Sequence, residues 1–227
     1  DANAYAQAHG EPQFAPGQLR QIFPPGIARR AANKNHDPQG WWGEETLDVE
    51  AVHAMAPDAR IVYVGSPNNR RDMDAAMNHV VDNKLATIVS NSYGFPYEIL
   101  PMGYIKPLED TFIQAAIQGI GIYFSSGDDG DLSQLTGGTA FPAWPASSPF
   151  VTAVGGTSLA IGADGQRVFE TGWATAKSTL GDGPVWNDPA YIYGAGGGTS
   201  YLFGQPSYQV GVVPSGMSGV HGGAAMR

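Results

Sequence analysis

Thr87-Ile88-Val89-Ser90-Asn91-Ser92 and Ile120-Gly121-Ile122-Tyr123-Phe124-Ser125 are two short apolar runs, and residues 105 to 118 between them carry a helical pattern. Runs so short and β-branched read as buried strands, and a helix joining two of them makes a β-α-β unit with parallel strands. Working backwards, Arg60-Ile61-Val62-Tyr63-Val64-Gly65 is another such strand, followed by a helix at about 71 to 83 and preceded by one at 43 to 56 that ends before Pro57. Working forwards, Phe150-Val151-Thr152-Ala153-Val154 is a further strand, and Asp164-Gly165 marks the tip of a hairpin between Leu159 and Phe169. Residues 2 to 9 read as a short helix stopped by Gly10, and the Pro-rich stretch to Pro38 shows little periodicity. The alternation predicts an α/β fold, a parallel sheet with helices on its faces, in one domain spanning 1–227. There is no internal repeat and no domain-scale linker.

The composition narrows the function classes. Of the 227 residues, 42% are hydrophobic, enough for one well-buried core, and only 15% are charged beside 31 Gly and 17 Pro, a balance typical of loop-rich extracellular enzymes. Twenty-one acidic against 12 basic residues give a net charge of -9, which repels nucleic acid and anionic membrane surfaces, so neither is an expected partner. Without cysteine, disulfides, thiol catalysis and thiolate metal sites are excluded together. No run approaches the roughly 18 apolar residues of a membrane span. Asp1-Ala2-Asn3-Ala4 carries no basic, apolar leader, as expected where a leader has been removed or lies upstream.

The polar residues that stand out follow the carboxyl ends of strands: Ser92-Tyr93-Gly94 and Ser126-Gly127-Asp128. That edge is where open α/β sheets bind ligands. Glu44 and Asp48, four residues apart, stack one turn above the other on a helix. Continuing their stripe gives Val52 and Met55, with Ala51 beside them, whereas Thr46, Glu50 and His53 fall on the more polar side, so the pair is expected to face inward. Burial would raise the pKa of at least one of them and leave a carboxyl pair able to share a proton and act as a general base. The alternative, that acids in a first turn simply suit the helix dipole, stays open from spacing alone. Asp128 lies in an Asp- and Gly-rich turn, a common feature. Protonated, its OH could donate to a developing oxyanion as a side-chain amide would.

Four stretches carry a resemblance. Gly43-Glu44-Glu45-Thr46-Leu47-Asp48-Val49-Glu50; Ser125-Ser126-Gly127-Asp128; Phe141-Pro142-Ala143 through Ser148-Pro149-Phe150-Val151-Thr152-Ala153-Val154-Gly155-Gly156-Thr157; and Gly196-Gly197-Gly198 through Pro206-Ser207-Tyr208-Gln209 resemble, in order, landmarks of the sedolisins, the serine-carboxyl peptidases. The match runs from Trp41 to Gln209. It implies a subtilisin-like fold, incomplete here at both termini, with Glu44 as general base, Asp48 as its partner and Asp128 as oxyanion donor. It further implies that Ser92, Tyr93, Gly94, Ser126 and Gly127 line a cleft whose backbone pairs with an extended peptide.

The family's nucleophile sits in a Gly-Thr-Ser turn followed shortly by Pro. Gly156-Thr157-Ser158 runs into Leu159-Ala160-Ile161 without a proline and matches a structural strand, and Gly198-Thr199-Ser200 lies upstream of the expected position. The nucleophile is therefore expected beyond Arg227, with the family's Ca2+ ligands and a further strand, and the chain alone is expected to be inactive. The resemblance implies an acid-acting, secreted endopeptidase on polypeptide substrates, with its own propeptide and the C-terminal remainder of the domain as further partners. The alternative is a catalytically inactive sedolisin-like module that binds peptides or partners through the same cleft. His9, His36, His53, His79 and His221 occupy no hydrolase or zinc-peptidase motif and most of them read as surface or capping residues, and the glycines at 196 to 198 lack the Lys of a phosphate loop.

Overall fold

The computed structural model describes residues 2–23, 41–67, 71–96, 98–214 and 217, and the backbone of 224–226. They fall into two compact units, one of residues 1–87 and 113–120, the other of 88–112 and 121–227. The Pro-rich run from 24 to 38, with His36, and the stretch around His221 lie outside the described residues.

In the first unit, α1 (Ala2–His9) stops at Gly10, whose left-handed φ of 72° favours glycine. β1 (Leu19–Ile22) pairs in parallel with β2 (Ile61–Val64), Leu19 beside Ile61 and Ile22 beside Val64. The sequence predicted no strand ahead of α2 (Trp42–Met55), because four residues alternate too briefly to stand out. Tertiary contacts select β1: the Gln18 side chain donates to the Ala59 carbonyl at 3.0 Å and to Pro57 at 2.5 Å, fixing the strand's start against the turn before β2. In α3 (Arg71–Asp82), the buried Ala76, Met77, Val80 and Val81 form the i, i+4 stripe that makes an amphipathic helix dock.

The expected inward face of α2 is corrected. Val52 and Met55 are exposed, Met55 at 87%, whereas His53 is buried at 1%. Its ring stacks on Phe14 with centroids 3.7 Å apart, and its Nε2 lies 2.6 Å from the Pro12 carbonyl oxygen. The segment after α1 supplies an aromatic face and an acceptor, and these outweigh the greater hydrophobicity of valine and methionine. His53 is thus neither a surface nor a capping residue.

In the second unit, β3 (Ile88–Asn91), β4 (Gly121–Ser125) and β5 (Thr152–Val154) form a parallel sheet in that order, with Asn91 beside Phe124 and Phe124 beside Ala153. α4 (Met102–Gln118), whose last turns belong to the first unit, starts earlier than residue 105 and carries Pro107 inside. Ile105, Leu108 and Phe112 line its buried face, and Phe112 meets Phe124 of β4 edge-on at 5.7 Å. Glu109, on the same helix, accepts hydrogen bonds from Trp144 Nε1 at 2.9 Å and Ser148 Oγ at 2.8 Å. These bonds satisfy the polar atoms of Trp144 and Ser148, which are almost wholly buried without a strand or helix to hold them.

Antiparallel hairpins complete the unit. β6 (Thr157–Ile161) pairs with β7 (Arg167–Gly172) around the predicted Asp164-Gly165 tip, where Gly165 has φ 77°. β8 (Ala174–Lys177) pairs with β9 (Ala190–Gly194), and β10 (Thr199–Gly204) with β11 (Ala224–Met226). No described helix is long and apolar enough to cross a membrane.

Candidate active site

β3 and β4 are parallel neighbours, so the segments leaving their carboxyl ends emerge on one edge of the sheet. Ser92, Tyr93 and Gly94 leave β3, and Ser126, Gly127 and Asp128 leave β4; the structure brings these six together at that edge. Tyr93 packs edge-on against Phe124, with centroids 5.1 Å apart. A Cβ on Gly94 would lie 3.1 Å from the Trp144 carbonyl oxygen, and Phe95 N donates to that same oxygen at 2.7 Å. The β3 edge is therefore held close to the buried Trp144 segment.

The β4 edge turns sharply. Ser126 N donates to Val154 O at 2.8 Å, which prolongs the β4–β5 ladder by one residue. Gly127 then adopts φ 97° and Gly130 φ 61°, so the chain reverses across Asp128-Asp129 and leaves Asp128 exposed. Beyond the turn, Asp131 accepts hydrogen bonds from Ser133 N at 3.0 Å and Ser133 Oγ at 2.6 Å, which hold its carboxyl below the usual aspartate range. A cavity of about 360 Å³ opens beside this turn, with Asp129, Asp131, Trp173 and Tyr191 in its wall.

Glu44 and Asp48 lie together on α2 in the first unit, both half-buried, one helical turn apart. Beside them Glu45 raises the Tyr63 phenol well above its usual range, second to the effect of burial itself. Each of the two candidate elements is thus well placed within its own unit.

Both Gly-Thr-Ser triplets are structural. Ser158 lies within β6. Ser200 is wholly buried: its Oγ donates to Glu98 Oε1 at 2.6 Å and accepts from Leu202 N at 3.1 Å and Phe203 N at 2.9 Å. A wholly buried hydroxyl whose lone pairs are taken by two amides is closed to a substrate carbonyl. Glu98, 2% exposed, accepts from Tyr201 N through its second oxygen at 2.8 Å. Sequence reasoning passed over Glu98 and Glu109, because neither stands at a spacing that betrays its partner; their only signal was an acid within or beside an apolar stretch.

Among the described residues, no three His, Asp or Glu side chains cluster as a metal site requires. The calcium ligands that the resemblance implies are expected beyond Arg227, and no step proposed below involves calcium.

No family model matches the chain. It is 33% identical to kumamolisin from Bacillus sp. (strain MN-32) over 175 residues, covering 76% of this chain and 29% of that protein. Tripeptidyl-peptidase 1 from Dictyostelium discoideum is 31% identical over 200 residues, covering 86% of this chain and 28% of its own. The chain belongs to the sedolisin family. A solved Pseudomonas sedolisin, a serine-carboxyl proteinase complexed with two molecules of pseudo-iodotyrostatin, superposes with a TM-score of 0.71 over 99% of this chain and 58% of its own at 24% identity, which shows the subtilisin-like fold. The chain spans less than a third of the length of the curated relatives it matches. The relatives include tripeptidyl-peptidases, so they do not single out the endopeptidase expectation.

Proposed function

We propose that this chain supplies the acidic residues of a secreted, acid-acting serine-type endopeptidase that hydrolyses polypeptides, with the nucleophilic serine beyond Arg227. Glu44 is the general base and Asp48 its partner. Asp128 donates the hydrogen bond to the oxyanion, and Ser92–Gly94 with Ser126–Gly127 provide the edges along which an extended substrate adds as a strand.

The observation that carries this reading is the placement of Asp128. Its carboxyl is exposed, on a turn flanked by left-handed glycines, directly after the carboxyl end of a parallel strand. A carboxylic acid donates only when protonated, so a donor of this type favours acid. In the reaction, Glu44 takes the serine hydroxyl proton as its oxygen attacks the scissile carbonyl. The carbonyl π electrons move onto the oxygen that Asp128 stabilises. Collapse of the tetrahedral intermediate breaks the C–N bond, and Glu44 returns the proton to the leaving amine. Water then repeats the sequence on the acyl-enzyme.

The test compares the full-length protein with residues 1–227 on an unstructured protein substrate near pH 4. Cleavage by the full-length protein, lost in Glu44→Gln and in the chain alone, is the expected result. Cleavage by residues 1–227 alone would overturn the assignment of the nucleophile, and binding of peptides without cleavage by the full-length protein would favour the inactive binding module. Intact-mass analysis of a limit digest then separates internal cuts from serial release of tripeptides.

A further inference from the structure

The glycine-rich segment from the end of β9 reaches the turn after β4 and, further on, Glu98, four residues beyond the β3 edge. On one side, Gly194 N donates to Asp128 O at 2.6 Å, Gly130 N donates to Gly194 O at 3.0 Å, and Gly196 N donates to Gly127 O at 3.0 Å. Asp129 and Gly194 form a parallel bridge at the centre of this small ladder. The oxyanion turn is therefore not a free loop: three main-chain hydrogen bonds hold its residues 127, 128 and 130. The ladder requires glycine at 196, since a Cβ there would fall on the Ser126 carbonyl oxygen and 2.7 Å from its carbon. Ala195 N donates to Trp173 O at 3.1 Å on the far side, anchoring the segment to the start of the β8–β9 hairpin.

Four residues further on, Ser200 and Tyr201 bind the two carboxyl oxygens of Glu98, which follows the β3 edge. Glu98 is buried, and neither oxygen has a cationic partner among the described residues. A buried acid so placed has a structural cost that only its hydrogen bonds offset. Almost wholly buried, with its two oxygens bound to Ser200 and Tyr201, it contributes through its geometry.

We propose that Gly194–Tyr201 is a brace that sets the spacing of the two substrate-receiving edges, with Gly196 and Glu98 as its positioning residues. One end fixes the Asp128 turn and the other fixes the Ser92–Gly94 edge through Glu98. This inference rests on the reading of Asp128 as oxyanion donor and of the two edges as peptide-binding.

The two ends predict different kinetic signatures. A Cβ at 196 displaces the Asp128 turn, and a displacement of about 1 Å at a catalytic group costs roughly 10²-fold in rate. Gly196→Ala in the full-length protein should therefore lower kcat by about 10²-fold and leave KM within about 3-fold. Glu98→Gln keeps the side-chain shape but cannot accept through both ends, so it loosens the β3 edge. Its KM on an extended peptide should rise by about 10-fold, with the smaller change in kcat.

Amide hydrogen exchange supplies a readout independent of turnover. The amides of Gly130, Gly194 and Gly196 should exchange at least about 10-fold faster in Gly196→Ala, and that of Tyr201 in Glu98→Gln. Unchanged exchange and unchanged kinetics in both variants would overturn the brace. Should Gly196→Ala fail to fold, the isosteric Glu98→Gln decides: a raised KM with faster Tyr201 exchange upholds the proposal, and wild-type values refute it. Asp128→Ala is the separate control. If it leaves kcat unchanged while Gly196→Ala still speeds exchange across 127–130, the brace stands and the oxyanion reading falls.

Discussion

Replacing Ser200 by alanine separates a structural hydroxyl from a catalytic one. The Oγ donates to Glu98 at 2.6 Å and accepts from the amides of Leu202 and Phe203, all with Ser200 wholly buried. Losing a hydrogen bond to a carboxyl group costs about 2 kcal/mol, and leaving two local amides to share poorer acceptors adds about 1 kcal/mol, so the total is about 3 kcal/mol. For a chain of this size each kcal/mol moves the Tm by about 2–4 °C, which gives a fall of about 6–12 °C. Thermal unfolding followed by circular dichroism measures it, alongside peptide cleavage by the full-length protein at 25 °C. The folded variant should keep kcat within about 10²-fold of wild type, the cost of displaced geometry. Loss of a true nucleophile costs on the order of 10⁶-fold. An unchanged Tm with activity abolished would refute both the structural role of Ser200 and the placement of the nucleophile elsewhere.

Further expectations concern the acids. Asp128→Asn places an amide donor where the acid stood, so the fall in kcat/KM that accompanies rising pH should move to higher pH, whereas Asp128→Ala should lose about 10²–10³-fold at every pH; superimposable profiles for wild type and the Asn variant would count against the oxyanion role. Glu109→Ala strips Trp144 Nε1 and Ser148 Oγ of their acceptor, both buried, and should cost about 3 kcal/mol, read as a lower urea midpoint at unchanged m. Asp74 and Asp131 should respond to pH in opposite senses. Burial raises the Asp74 pKa in the folded state, so its contribution is fully present below the unfolded aspartate value and is lost as pH rises through the folded one. Asp74→Asn is therefore expected to raise the Tm at pH 7 and change it little at pH 3. Ser133 lowers the Asp131 pKa, so that contribution is present at neutral pH and lost as pH falls through the folded value; Asp131→Ala should lower the Tm at pH 7 and not at pH 2. A series of melting curves from pH 2 to 8 checks both signs.

The sequence disclosed whatever rests on local pattern. The β-α-β alternation through β3, α4 and β4 is legible because each strand is a short β-branched run bounded by turn residues, and the β6–β7 hairpin because Asp-Gly admits few other conformations. What escaped depends on partners distant in the chain. β1 reads as loop until β2 is beside it. The α2 face was misread because helical periodicity ranks Val52 and Met55 above His53, and only the Phe14 ring and the Pro12 carbonyl invert that order. Of the site, the two edges after β3 and β4 follow from topology, since the carboxyl end of a parallel strand is fixed once the strand is found. Glu98 and Glu109 could not be ranked the same way: each is matched to hydroxyls, an indole or an amide some 35 to 103 positions away.

The two Gly-Thr-Ser triplets show why motif and role come apart in this chain. The same three residues offer a flexible turn and two hydroxyls, and what those hydroxyls do is decided by which lone pairs and protons remain unclaimed. At 157, the threonine hydroxyl donates to Glu170 across the β6–β7 hairpin at 2.9 Å. At 200, the serine hydroxyl is claimed by an acid and two amides at once. A nucleophile needs a base for its proton and, beyond that, an open approach for the carbonyl carbon. Ser200 has an acid for its proton but no open approach, since it is wholly buried, whereas the exposed Asp128 on its braced turn has the open approach without a hydroxyl. On the function proposed above, Glu44, Asp48 and Asp128 await a serine that Ser200 does not supply, so joining the chain to the rest of that protein, rather than altering Ser200, is the perturbation expected to switch cleavage on.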